Sequence, residues 1–203
     1  MKFVNLQKEI PDLLLDIRYC SSFNFVGTPI DGYIDPVAIG TTELAHALKE
    51  VNQVVLDAGY RLKIYDVYRP QKAVDHFMRW AQDFNDTKMK DIFYPNIKKE
   101  TMFRDNYLIE KSGHSRGSTI DCTLFDVKTG CDLDMGSYFD LFDQKSHPLY
   151  THTLSSEQIN NRMFLREIML NHGFLPLETE WWHFTLKDEP YPNTYFNFDV
   201  KAD

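Results

Sequence analysis

SGHSRGSTIDC, residues 112–122, admits two readings that lead to different folds. Gly113-His114-Ser115-Arg116-Gly117 fits the G-x-S-x-G pattern of a serine nucleophile. His114 and Asp121, seven positions apart, are instead a candidate pair of ligands for one metal ion. A nucleophile elbow needs strand, sharp turn and helix in that order, because the helix N-terminus helps to bind the oxyanion. Ser115 is followed by Gly117 and then by a β-like run, STIDCTLF (118–125), and the chain has too few βα alternations for a hydrolase sheet. The serine reading therefore stands only if a histidine lies against Ser115.

The metal reading fits the flanking residues better. Ser112, Gly113, Ser115 and Gly117 are small and leave an imidazole at position 114 uncrowded. Strand alternation puts Thr119, Asp121 and Thr123 on one face of 118–125, and Ile120, Cys122 and Leu124 on the other. Cys122 thus points away from Asp121 and reads as a small core residue. A third ligand is offered by Glu180-Trp181-Trp182-His183, at the start of a second alternating run, WHFTL (182–186). If the two runs are antiparallel neighbours, Asp121 and His183 share a sheet face. Three protein ligands with one open position is the arrangement of catalytic zinc, and Glu180 is then free to act as base on a water. Glu180 and His183 fall on opposite faces of a regular strand, so this reading predicts a bulge or bend between them, or a Glu180 that precedes the strand. Each piece also has a plainer reading: a solvated loop histidine, a turn or salt-bridge aspartate, an amphipathic aromatic strand. The helical zinc motif H-E-x-x-H is absent. His147 and His152 form a second, weaker candidate pair.

The whole chain is compatible with this chemistry. Its 203 residues suffice for one domain with a substantial core, and its net charge of −8 argues against nucleic acid or an anionic membrane as partner. No stretch approaches the ~18 apolar residues of a membrane span, and no apolar run follows Lys2 as a signal peptide requires. Three cysteines without C-x-x-C spacing read as free thiols of a cytoplasmic protein. A small zwitterionic ligand remains compatible with the acidic surface, as does a homo-oligomer.

Elsewhere, Leu44, Leu48, Val51, Val55 and Ala58 follow a helical period, with Thr41 or Thr42 as cap and Gly59 as stop. A second helix is predicted from Pro70 as its first residue, burying Val74, Phe77, Met78 and Ala81. A third begins at Ser155, where Ser155 to Gln158 has capping-box spacing, and ends at Gly173. RLKIYDVY (61–68) reads as a strand with Leu62, Ile64, Asp66 and Tyr68 on one face. Residues 85–107 and 126–154 read as long excursions around one α+β domain.

Taken in order, Ser112-x-His114-x-x-Gly117-x-x-x-Asp121 and Glu180-x-x-His183 resemble the motifs of the D-alanyl-D-alanine dipeptidases, a family of zinc D,D-peptidases. LDIRYCSSFNFVG (15–27), YDVYRP (65–70) and DMGSYFD (134–140) extend the resemblance over most of 12–186. It implies a single domain over 1–203, α+β, with a central antiparallel sheet and flanking helices. It implies one Zn2+ per chain held by His114, Asp121 and His183, with Glu180 as general base and then acid, and Arg69 stabilising the tetrahedral intermediate. On sequence alone, Arg69 reads as a surface salt bridge. Tyr19, Ser112 and Asp140 match positions around the bound dipeptide, Asp140 facing its ammonium. The implied reaction is hydrolysis of D-Ala-D-Ala, either depleting a peptidoglycan precursor, as in glycopeptide resistance, or recycling wall-derived dipeptide. The alternatives are a D,D-carboxypeptidase or endopeptidase on longer wall peptides, and a metal-stabilised binding module without chemistry.

Overall fold

The computed structural model describes residues 2–102 and 109–202. Strand β1 (Phe3–Asn5) runs into a single turn, α1 (Leu6–Glu9), and is followed by the two-residue β2 (Leu14–Leu15). Next come β3 (Ile39–Thr41), α2 (Thr42–Asp57), β4 (Tyr60–Asp66) and α3 (Gln71–Gln82). Two single turns, α4 (Lys90–Phe93) and α5 (Lys99–Met102), precede the pair β5 (Thr119–Asp126) and β6 (Cys131–Asp132). The chain closes with α6 (Ser156–Asn171), β7 (Phe174–Leu177) and β8 (Glu180–Leu186).

The main sheet has six strands in the order β2-β4-β5-β8-β7, with β6 paired to β5, while β1 and β3 form a separate ribbon. Its pairings are antiparallel except for β2 and β4, which run parallel. The expected antiparallel sheet is therefore mixed at one edge, because the chain leaves β2 and returns through the α2 crossover before entering β4.

Caps and glycines set the helix ends as the sequence predicts. The Thr41 side chain accepts from Leu44 N, and Gly59 at φ +86° stops α2 just after Ala58, an exposed residue off the buried stripe. Ser155 and Gln158 complete a capping box on α6. The second helix departs from expectation. Pro70 is its N-cap, at ψ 149°, with no capping side chain, so the helix proper starts at Gln71. Its first amides are satisfied from far away: Gln71 N donates to Phe196 O at 3.0 Å, and Lys72 N to Asn197 Oδ1 at 2.8 Å. Trp80, rather than Met78, completes the buried stripe, because Lys99 lays its ammonium on the Trp80 ring and donates to the carbonyls of Trp80 and Asp83. The excursion from residue 85 contains α4 and α5 as far as Met102, and residues 103–107 lie outside those described.

Helices α2 and α6 pack beside each other against one face of the sheet. Leu48, Val51 and Val55 share one core there with Leu62, Ile64, Ile120, Cys122 and Leu124, all inaccessible to solvent. Each such side chain stabilises the fold by roughly 1.5–3 kcal/mol. The opposite face of β5 is equally buried but polar, and it carries the site.

Candidate metal centre

Two irregularities in the sheet assemble this face. Along β4 and β5 the register runs Leu62 to Leu124, Lys63 to Thr123 and Ile64 to Cys122, then slips, so that Asp66 pairs with Asp121. A regular ladder would carry Asp66 onto the core face with Ile64. One extra residue at Tyr65 turns it to the Asp121 face instead. Across β5, Asp121 pairs directly with His183. In β8 the register slips again: Pro176 opposes Phe184, but Leu177 opposes Glu180. The predicted bend between Glu180 and His183 is thus present, within the strand, and it brings Glu180 Oε2 to 3.4 Å from His183 Nδ1.

His114 lies in a tight turn, Gly113–Arg116, whose first residue is capped by Ser112: its Oγ accepts from His114 N at 3.2 Å. Gly117 ends that turn at φ +85°, and a Cβ there would collide with the Phe3 ring. His114 Nδ1 donates to Val67 O at 2.6 Å, which leaves Nε2 as the unprotonated nitrogen. Nε2 faces Asp121 Oδ2 at 3.2 Å and His183 Nδ1 at 3.3 Å, while His183 Nδ1 lies 3.1 Å from Asp121 Oδ1. The ligand atoms of the three residues lie within 4.8 Å of one another. Asp121 Oδ1 is buried yet accepts no well-formed hydrogen bond among the described residues. Two imidazole lone pairs and an orphaned carboxylate oxygen aimed at one point fit a divalent ion that takes mixed N and O donors, as zinc does.

The electrostatics agree. Burial opposes ionisation of Asp121, but the adjacent imidazoles, His114 first, hold its carboxyl well below the usual range. Burial likewise disfavours a charged His183, yet the adjacent Asp121 and Glu180 carboxylates lift it to about 9. In the metal-free protein a proton thus occupies the place suited to a cation.

Arg69 is largely withdrawn from the surface, its side chain 13% exposed. Its Nε donates to Asp66 Oδ2 at 2.9 Å, and Nη2 lies 3.6 Å from Asp121 Oδ2 and 3.5 Å from the Tyr19 hydroxyl. Burial works against its charge, but Tyr19 and Asp66 hold its pKa well above the ordinary value. Asp140 adopts φ +61°, the only left-handed non-glycine backbone among the described residues. This turns its carboxyl inward, where Oδ2 accepts from Tyr19 OH at 2.9 Å. Burial and then the charge of Asp121 push the Asp140 carboxyl well above its usual pKa.

Tyr19, Arg69, Ser112, His114, Asp121, Asp140, Glu180 and His183 all line one cavity of about 100 Å³. The serine reading fails here. Ser115 Oγ is buried with no hydrogen-bond partner among the described residues, and the nearby imidazoles face one another and Asp121. His152 faces the Tyr150 ring, and no described third ligand joins it to His147. Sequence reasoning missed Asp66 and Tyr33, whose hydroxyl donates to Asp66 Oδ1 at 2.6 Å. The available signal was an acid on the otherwise apolar face Leu62, Ile64, Tyr68.

The peptidase M15 family model described as D-Ala-D-Ala dipeptidase matches residues 1–201. Proteins named D-alanyl-D-alanine dipeptidase from Enterococcus faecium and Enterococcus faecalis are 42% identical over 199 residues and 43% over 201, each pairing covering 98% of both chains. One from Streptomyces coelicolor is 41% identical over 198 residues, again at 98% of both. With a family match spanning nearly its whole length and a ligand set suited to a divalent ion, this chain is an enzyme belonging to the M15 D-Ala-D-Ala dipeptidase family of metallopeptidases.

Proposed function

We propose that this enzyme hydrolyses free D-Ala-D-Ala to two D-alanines with one Zn2+ held by His114 Nε2, Asp121 and His183 Nδ1. The observation that carries the reading is the convergence of these three donors on one wall of a cavity whose other groups include Arg69, Asp140 and Glu180. When bound, the ion would polarise the scissile carbonyl and lower the pKa of a water towards ~7.

The remaining steps belong to side chains of the chain itself. Glu180, partly open to solvent beside His183, takes the proton of the attacking water and passes it to the leaving amine, a contribution of ~10²–10⁴ in rate. Arg69 keeps its charge in the buried site and meets the developing oxyanion with its terminal nitrogens, a donor worth ~10²–10³. Asp140, supported by Tyr19 OH, pairs with the dipeptide's ammonium. Burial raises the Asp140 carboxyl above its usual pKa, and an ammonium beside it would favour the carboxylate. Ser112, on the same wall as His114, contributes a hydroxyl to the substrate's surroundings. At about 100 Å³ the cavity is smaller than the ~300–1,000 Å³ of ordinary ligand pockets, which favours a dipeptide over a longer chain. An acylated amino terminus would also lose the pairing with Asp140.

No helix among the described residues is long and apolar enough to cross a membrane. Three free cysteines fit a cytoplasmic enzyme acting on a soluble dipeptide. The test is alanine release from D-Ala-D-Ala by metal-loaded protein, with and without chelator, beside the same measurement on N-acetyl-D-Ala-D-Ala. We expect chelator-sensitive turnover of the free dipeptide only. No turnover by the loaded protein defeats the reading, and equal turnover of the blocked peptide replaces it with carboxypeptidase action.

A further inference from the structure

We infer that Asp66 is a positioning residue for the reaction: by holding Arg69 through Nε, it directs the terminal nitrogens of the guanidinium into the cavity. This rests on the dipeptide hydrolysis proposed above.

Asp66 is almost inaccessible to solvent, and both its oxygens accept. Oδ1 takes the Tyr33 hydroxyl at 2.6 Å and Oδ2 takes Arg69 Nε at 2.9 Å. Both oxygens are thus committed as acceptors to these two donors. It reaches this place only through the register slip in β4, which moves it from the core face to the Asp121 face. That distortion takes an acid out of water and commits it to Arg69 and Tyr33.

The arginine needs such a constraint. Its backbone is held, since Arg69 N donates to His114 O at 3.3 Å, but its side chain ends among several acids. Nη2 already lies 3.6 Å from Asp121 Oδ2, and Asp140 and Glu180 line the same cavity. The rings of Tyr19 and Phe77 flank the guanidinium at 5.0 and 5.3 Å without fixing its rotation. The Nη2 contact with Tyr19 OH is long, at 3.5 Å, so the 2.9 Å bond from Nε to Asp66 is the short contact that sets which edge faces the cavity. A guanidinium released from it can pair with Asp121 and be drawn away from the oxyanion. Asp66 Oδ2 is also 3.5 Å from His114 Nδ1, but that nitrogen gives its proton to Val67 O at 2.6 Å, so the route of influence runs through Arg69.

The test is a double-mutant cycle of Asp66→Asn with Arg69→Ala, measuring kcat and KM for D-Ala-D-Ala and bound metal in every variant. Asp66→Asn should lower kcat by about 10- to 100-fold, change KM by less than about threefold and keep the metal. In the Arg69→Ala background the same change should alter kcat by less than about threefold. An equal loss in both backgrounds overturns the inference, because Asp66 would then act independently of the arginine. A second arm needs no turnover. The Arg69 Nε–H resonance of 15N-labelled protein should exchange slowly in the wild type and be lost in Asp66→Ala, which leaves no acceptor; its persistence there also overturns the inference. If the wild type fails to cleave the dipeptide, the functional reading falls while this arm still decides the placement. Should Asp66→Asn not fold, Tyr33→Phe in the same cycle decides, with an expected loss in kcat of about threefold to tenfold that vanishes without Arg69.

Discussion

The two faces of β5 are equally buried and chemically opposite. Ile120, Cys122 and Leu124 join the apolar core beside β4, while on the other face Asp121 lines the site, Thr119 pairs its hydroxyl with that of Thr185 and Thr123 lines a second cavity, and none of the six exceeds 2% exposure. Burial therefore does not separate core from site. What separates them is how the cost of leaving water is met. The core face gains from leaving water. The site face carries acids that are tolerable only when paired. Asp66, Asp121 and Asp140 are all buried, and Arg69 is the guanidinium that faces them. The metal-free site is short of positive charge, which is why His183 holds a proton so tightly.

If the faces are separable, a change on one should leave the other's property intact. The largest expected effect is on the site face: Glu180→Ala should reduce kcat by ~10²–10⁴ while metal content and melting temperature stay near wild type. Loss of metal in that variant would place Glu180 among the ligands. On the core face, Leu124→Ala should remove ~2–5 kcal/mol of stability, read by denaturant unfolding, with kcat of the folded fraction unchanged. A parallel fall in kcat would show that the cavity it leaves reaches the site. Chelation should be intermediate. Stripping an ion present at 100 times its Kd should cost about 2.7 kcal/mol and lower the melting temperature. An unchanged melting curve would mean that the acids are satisfied without a cation.

The smallest effect is in pH. His183 in the folded, metal-free protein titrates at about 9, against ~6.5 in the unfolded chain. The proton's contribution to stability is therefore complete below about pH 6.5 and is lost as pH rises through about 9. The ion needs the neutral ring, so metal affinity should climb by up to about tenfold per pH unit across that window and level off above it. Calorimetric titration in two buffers of different ionisation enthalpy would detect the released proton. A flat affinity between pH 7 and 9 would remove His183 from the ligand set.

The site was legible in the sequence where it depends on local alternation. Period 2 put Asp121 and Cys122 on opposite faces, and the three-residue spacing of Glu180 and His183 required the bend that β8 contains. It was not legible where alternation is broken by a distant cause. The same rule assigns Asp66 to the core, and only the slip against β5 reverses it. The left-handed Asp140 is a similar case, since aspartate tolerates that backbone without a glycine to announce it. The fold was readable in its three long helices and three main strands. The turns α4 and α5 and the strands β1 to β3, two to four residues each, depend on tertiary neighbours more than on their own periodicity.

The cap on α3 has a consequence for biosynthesis. Phe196 N donates to Ser115 O at 2.8 Å while Phe196 O receives Gln71 N, so the backbone of one residue staples the His114 turn to the segment that follows Arg69. A nascent polypeptide can lay down His114 and Asp121 early, but it gains this staple only when residue 196 has cleared the ribosome. The His114 turn and the start of α3 are therefore tied together through Phe196 only after residue 196 has been made.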